Sequence, residues 1–266
     1  MQPFILRRTK EEVLDELPDK MVYEQMVELS GDEMALYEAM RQYAEANIKS
    51  AGGKGGKKSP DDKNKIQINF FAELTNLRLA ACSMSLVHND WKGGSSKSAA
   101  LKCILDELSG NEGNRVLVFS QFTSYLAQIR AMLDKAGMRY LYLDGQTDLD
   151  ERAELVTQFQ NGDCPIFLAS LKAGGLGLNL TAANYVILLD PWWNPAIENQ
   201  AMDRAHRIGQ KRNVTVIRLI AQHTIEEKIL KMHETKQSLS DDMLDGTSDS
   251  WHLTMDDVLD MVSPFR

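Results

Sequence analysis

The sequence predicts an α/β fold: a parallel sheet flanked by helices, with a helical subdomain in front and a bracing helix behind. Three observations carry this. From Ser96 onward, short apolar runs alternate with amphipathic stretches of about 10 to 15 residues, the rhythm of βαβ units. Two of those runs, Ile166 to Ala169 and Tyr185 to Leu189, are apolar throughout, as strands buried on both faces are. Each runs into turn chemistry: Lys172-Ala173-Gly174-Gly175-Leu176-Gly177-Leu178-Asn179 after the first, Asp190-Pro191-Trp192-Trp193-Asn194-Pro195 after the second. Ligands in open α/β sheets bind beyond the carboxyl ends of the strands, where such turns lie.

Taken in order, Thr9 and Glu12 make a candidate capping box for a short helix through Val13, Leu14 and Leu17, which Pro18 stops. Met21 to Leu29 loosely alternates and reads as an extended strand. Ser30 and Glu33 form a second capping box, opening a helix to about Lys49 with Leu36, Met40 and Tyr43 on one side. Residues 50–65 are a flexible Gly/Lys loop. It is no phosphate cradle: Ala51 stands at the first glycine position of a P-loop, Lys58 stands where Ser or Thr belongs, and no buried strand precedes it. Ile66, Phe70, Leu74, Leu77 and Ala81 mark a long amphipathic helix.

Beyond Ser96 the expected order is helix 98–108, strand 115–119, helix 124–135, strand 140–143, helix 149–160, strand 166–169 and strand 185–189. A helix opening near Ala196 and a strand over 214–220 complete the set. On that last helix Gln200, Arg204 and Arg207 follow i, i+4, i+7 spacing and should share a face, with Ala201, Ala205 and Ile208 one step round against the core. Arginine suits phosphate because its planar fork makes two parallel hydrogen bonds and keeps its charge. The plainer reading is a solvated surface helix with an Asp203–Arg207 pair. Trp251, Leu253, Met255, Val258 and Leu259 read as a short docked helix.

Composition narrows the classes. In 266 residues no apolar run approaches the about 20 needed to span a bilayer as a helix, so no membrane partner is expected. Cys82, Cys103 and Cys164 lie far apart with no CxxC pair, and His233-Glu234 lacks the second histidine of a zinc motif, so neither disulfides nor a metal site are expected. The net charge of −8 is uneven: residues 237–266 hold seven aspartates and one arginine, whereas within 198–236 eight Lys/Arg face five acids. A nearly neutral body with local basic clusters suits weak binding of a polyanion.

The string Gln200 to Gln210, QAMDRAHRIGQ, resembles the sixth helicase motif of the Swi/Snf-type ATPases of helicase superfamily two, and residues 171–195 resemble their fifth motif and the segment after it. VLVFSQFTSYL resembles the fourth motif, and PFILRRTKEEVLDELPDK the segment that joins the two motor lobes. LRLAACSMSLV is similar to the family's LRxxCxHP-type stretch without its His-Pro. The chain is thus expected to begin partway through a larger protein. Residues 1–95 would be the inter-lobe segment and helical subdomain, 96–236 the second RecA-like lobe, and 237–266 the end of a bracing helix with an acidic tail.

What the resemblance implies is half of an ATP-driven motor on double-stranded DNA. The first lobe of the same polypeptide would supply the P-loop and the magnesium-binding acids; neither motif occurs in this sequence, so the chain alone should not hydrolyse ATP. Arg204 and Arg207 match the arginine fingers, Gln200 would orient phosphate or water, and Gly177 and Asn179 fall near the ribose. Ser120, Gln121, Gly145, Ser170 and Lys172 match backbone-contacting positions on DNA, with Arg152 either joining them or forming a surface ion pair, and Thr147 a candidate N-cap beside them. Trp193 matches the tryptophan of the family's WNP and would meet the minor groove or a base step; Trp192 is read as packing. The substrate could be a protein bound to DNA, and the location intracellular, at a bacterial nucleoid or in a nucleus. Two other readings stand beside it. An RNA helicase lobe carries HRxGR where this chain has His206-Arg207-Ile208-Gly209-Gln210, and a non-catalytic module would use the arginines on an acidic partner. The glycines of GLGLNL imitate a dinucleotide fingerprint, but Leu180 stands at its third glycine.

Overall fold

The computed structural model describes residues 17–52, 60–111, 113–174, 178–242 and 255–265. Six strands form one sheet: β1 (Lys20–Val27), β2 (Val116–Ser120), β3 (Tyr140–Leu143), β4 (Ile166–Ser170), β5 (Tyr185–Leu188) and β6 (Val214–Ala221). Their order is β1-β6-β5-β2-β4-β3, and every pairing is parallel. The helices are α1 (Gly31–Gly52), α2 (Pro60–Cys82), α3 (Ser96–Ser109), α4 (Thr123–Lys135), α5 (Leu149–Asn161), α6 (Leu171–Gly174), α7 (Pro195–Met202), α8 (Ile225–Asp242) and α9 (Met255–Val262). The α/β class read from the sequence is the class observed.

Alternation along each strand sorts the core into two layers. Leu117, Phe119, Phe167, Ala169, Val186 and Leu188 join Phe159 of α5 and Ala201 and Met202 of α7 on one face. Val116, Val118, Ile166, Leu168 and Ile187 meet Leu101 and Leu105 of α3 and Tyr125, Leu126 and Ile129 of α4 on the other. Side chains reverse face at every strand residue, so an all-apolar strand fits only a sheet covered on both sides. A third cluster gathers Tyr37, Ala44 and Ile48 of α1, Phe70, Leu74 and Leu77 of α2, Ile225 and Ile229 of α8, and Val258 and Met261 of α9.

Several expectations need correction. The buried face of α1 is Tyr37, Arg41, Ala44 and Ile48, and Tyr43 is 65% exposed. Arg41 goes inward because Glu38 and Glu45 neutralise it from its own helix and the Val262 carbonyl of α9 accepts from it. Thr147 does not cap α5. Asp148 holds that position, and the Thr147 hydroxyl instead accepts from the Asp144 amide at 3.1 Å. The Ser30–Glu33 box is present, with Ser30 N to Glu33 Oε2 at 3.0 Å and Glu33 N to Ser30 Oγ at 3.3 Å. Of the expected loop 50–65, residues 50–52 end α1 and 60–65 open α2, while residues 53–59, the first capping box, Trp251 and Leu253 lie outside the described residues.

Candidate active site and nucleic-acid interface

The β5–α7 turn is built first, because everything after it hangs from it. Asp190 is 1% exposed. Its carboxylate accepts from the Ser120 hydroxyl and from the Gln121 amide at 3.2 Å, with an Arg78 nitrogen 3.7 Å away. Burial pushes this carboxyl up, against the pull of Arg78 and Ser120. The Pro191 carbonyl accepts from Arg78 at 2.7 Å, Trp192 N donates to Glu198 Oε1 at 2.8 Å, and the His233 ring meets the Trp192 carbonyl at 2.7 Å. Asn194 then caps α7, its side-chain oxygen accepting from Ala196 N at 2.9 Å, with Pro195 at the first helical position. A turn held at so many points gives the helix a fixed direction.

That helix is shorter than its spacing predicts. It ends at Met202, so Gln200 is helical while Arg204 and Arg207 lie in the turns beyond. The cause is visible in the backbone: Arg204 N and Ala205 N reach three residues back, to the Ala201 and Met202 carbonyls at 3.1 Å. The Arg204 carbonyl is taken by Leu180 N at 3.1 Å, and Gly209 with φ +100° closes the segment. A single helical face through all three residues is therefore not observed. Ala201 and Ala205 are buried as expected, but Ile208 is 69% exposed.

The two arginines still lie close together. Arg204 is 9% exposed and Arg207 is exposed. Burial chiefly, and then the Arg207 charge, hold the Arg204 guanidinium below its ordinary value. One arginine is thus largely covered and the other open. The Arg204–Leu180 bond brings Asn179, which is exposed, next to this pair. Gly177 lies outside the described residues. Gln210, which in the sequence only marks the class of helicase motif, locks the segment: its amide donates to the Ala183 carbonyl at 2.7 Å and its oxygen accepts Lys211 N and Arg212 N at 2.9 Å. His206 contacts the Pro18 carbonyl at 2.7 Å.

Most of the residues expected to meet DNA lie at or just beyond the carboxyl ends of the neighbouring strands β2, β4 and β3. Ser120 and Ser170 are register partners of β2 and β4, and β3 with its following loop lies alongside. Both hydroxyls face inward, Ser120 toward Asp190 and Ser170 toward Ala173 N at 3.3 Å. Gly145 and Lys172 are exposed and Gln121 is half-buried; a side chain at Gly145 would meet nothing. Arg152 makes no ion pair among the described residues. Its guanidinium is turned onto the loop's own carbonyls, Thr147 at 2.7 Å, Asp144 at 3.3 Å and Gly145 at 3.4 Å, and so braces the exposed backbone. Trp193 is half-buried and stacks on Arg78, whose guanidinium carbon is 4.7 Å from its ring centre. Trp192 shares the same cation at 5.1 Å.

Sequence reasoning misses Arg78, Asp190 and Glu198. All are charged residues inside apolar surroundings, and the spacing of Arg78 on the buried stripe beside Leu74 and Leu77 is the available signal. Among the described residues no group of three or more His, Cys, Asp or Glu is placed to hold a metal ion, and no helix is long and apolar enough to cross a membrane.

Residues 96–209 match the helicase conserved C-terminal domain. An uncharacterized ATP-dependent helicase of Mycoplasma pneumoniae is 38% identical over 242 residues, 89% of this chain and 22% of that protein. A mouse SWI/SNF-related regulator of chromatin containing DEAD/H box 1 is 50% identical over 150 residues, 56% of this chain and 15% of its own length. The Sulfolobus solfataricus SWI2/SNF2 ATPase core, solved in complex with double-stranded DNA, superposes with a TM-score of 0.73 at 30% identity, covering 99% of this chain and 55% of that one. The chain spans about a fifth of the length of the first curated relatives it matches. It belongs to the Swi/Snf-type branch of the superfamily-two helicases, as their C-terminal RecA-like lobe.

Proposed function

We propose that this lobe serves an ATP-driven translocase on double-stranded DNA, working against a first lobe of the same polypeptide that carries the P-loop. The observation that carries the reading is the paired Arg204 and Arg207, held within Coulombic reach of each other beside Asn179 on a segment locked at both ends. The two cations repel each other, with the Asp203 charge opposing that effect on Arg204, and both would be favoured opposite a polyphosphate, which fits a nucleotide brought by the partner lobe. Magnesium would be held by the first lobe, and bound ATP supplies the phosphoryl group whose transfer drives movement. Arg207 would neutralise charge developing on that group, and Arg204, more covered, would support it; arginine fingers of this kind contribute about 10³ to 10⁵ in rate. Gln200 and Asn179 would orient the phosphates and ribose, with Gly177 allowing close approach.

On the other edge, Lys172, Gln121 and the open backbone at Gly145, steadied by Arg152, would contact phosphates without reading sequence. Ser120 and Ser170 would contribute by shaping these strand ends. Trp193 would offer its free edge to the groove. The relatives' names support an ATP-dependent helicase context, and the solved homologue was captured on duplex DNA. An intracellular site of action, with a DNA-bound protein as a candidate substrate, belongs to the same proposal. The test is ATP turnover by the full-length protein and by this chain alone, with duplex DNA and with single-stranded RNA. Duplex-stimulated turnover in the first and none in the second is expected. Stimulation by RNA only, or turnover by the isolated chain, would overturn the reading.

A further inference from the structure

Arg78 is among the largest side chains fully enclosed in the molecule, at 1% exposure. It comes from α2, in the helical subdomain, yet its aromatic and polar partners belong to the motor lobe. Phe122, in the turn after β2, and Trp192 lie with ring centres 5.1 Å from its guanidinium carbon, and Trp193 at 4.7 Å. Its Nη2 donates to the Pro191 carbonyl at 2.7 Å and stands 3.7 Å from the Asp190 carboxylate. Three aromatic faces, a carbonyl and a carboxylate around one guanidinium form a joint that suits a planar, permanently charged group. Taking such a charge out of water is costly, and burial draws Arg78 below its ordinary value. Hydrophobic side chains would have packed this junction at less cost, so stability alone is a weak explanation for the arginine.

We propose that Arg78 is a positioning residue for phosphoryl transfer: it fixes the β5–α7 turn, and through α7 it aims Arg204 and Arg207 at the nucleotide. This rests on the function proposed above. The path is short and continuous. Asp190 and Pro191, which Arg78 holds, precede Asn194, which caps α7; Glu198 of α7 reaches back to Trp192 N, and Arg204 lies two residues past the helix end. Eight residues of helix span about 12 Å, so a tilt of about 5° at the turn shifts the far end by about 1 Å. Misplacement by about 1 Å of a group that acts only in the transition state costs about 10² in rate. Binding of ATP, held mainly by the other lobe, should barely change.

The experiment compares full-length wild type, Arg78→Lys, and Arg78→Met combined with Asp190→Asn, which removes both buried charges together. Thermal melting reports folding; kcat and KM for ATP with saturating duplex DNA report positioning. The expected result is melting close to wild type in at least one variant, KM within about threefold, and kcat lower by about 10²-fold. A folded variant with kcat within threefold of wild type overturns the proposal. So does failure of both variants to fold, which would make Arg78 a folding residue only. Arg207→Ala is run alongside. If it keeps full turnover, the proposed function itself fails; if it loses turnover while the Arg78 variants keep theirs, only the positioning role fails.

Discussion

Replacing Lys97 by methionine isolates the energetics of the buried charges on which this lobe is built. Lys97 Nζ lies 2.6 Å from Glu226 Oε1, and neither side chain has any solvent exposure. Glu226 Oε2 also accepts from Ala221 N at 2.8 Å, at the end of β6. Lys97→Met keeps most of the packing volume and leaves the carboxylate alone in the core. It can stay ionised, at about 3–5 kcal/mol, or take up a proton. Burial already drives this carboxyl above its ordinary value, with the Lys97 charge as the main opposing influence, so protonation is the easier route. Moving a proton onto a group of ordinary pKa about 4.3 at pH 7 costs about 1.36 kcal/mol per pH unit, or roughly 3.7 kcal/mol. The loss at pH 7 should therefore be about 3–4 kcal/mol by urea unfolding. Its sign with pH is fixed. The folded variant holds a proton that the unfolded chain has released, so its stability falls as pH rises and returns at about 1.4 kcal/mol per unit as pH falls. Adding Glu226→Gln, which still accepts from Ala221 N, should recover most of the loss and remove the slope. A loss under about 1 kcal/mol, or no pH slope relative to wild type, would refute this reasoning.

Three further outcomes are expected. Glu33 accepts from Ser30 N at 3.0 Å, from Ser96 N at 3.1 Å and from the Ser96 hydroxyl, so Glu33→Ala should cost about 3 kcal/mol against about 1 for Ser30→Ala, by chemical denaturation. Phe159 is fully buried with its ring 5.3 Å edge-to-face from Phe167; Phe159→Ala should lose about 3–5 kcal/mol in the same assay. Gly145→Ala should leave stability within about 0.5 kcal/mol, since nothing lies near the added methyl, yet weaken duplex binding in a fluorescence titration of the full-length protein if backbone there approaches phosphate.

How much of the fold and the site is legible in the sequence depends on which interactions are local. β2, β4 and β5 are legible because each is a short, nearly all-apolar run, and burial on both faces is written in composition alone. The Ser30–Glu33 box is legible because its partners are three residues apart. The end of α7 is not. Residues 200–208 keep helical spacing, but a bond from Leu180 captures the Arg204 carbonyl, and that partner is 24 positions away. Arg152 is placed on its helix by the sequence, but its bonds to the Thr147, Asp144 and Gly145 carbonyls are not legible, because carbonyl acceptors carry no sequence signature. Arg78 escapes notice for the same reason: its cage is assembled from Phe122, Trp192 and Trp193, none of them near it in the chain. Motif strings locate the arginines; only the fold shows one exposed and one covered.

The central claim is that Arg207 completes a nucleotide site shared with another lobe. It is tested most directly by single-turnover ATP hydrolysis on duplex DNA in full-length wild type and Arg207→Ala, with ATP affinity measured in both. A rate reduced by about 10³ or more with affinity within threefold is expected. A rate within tenfold of wild type would contradict it.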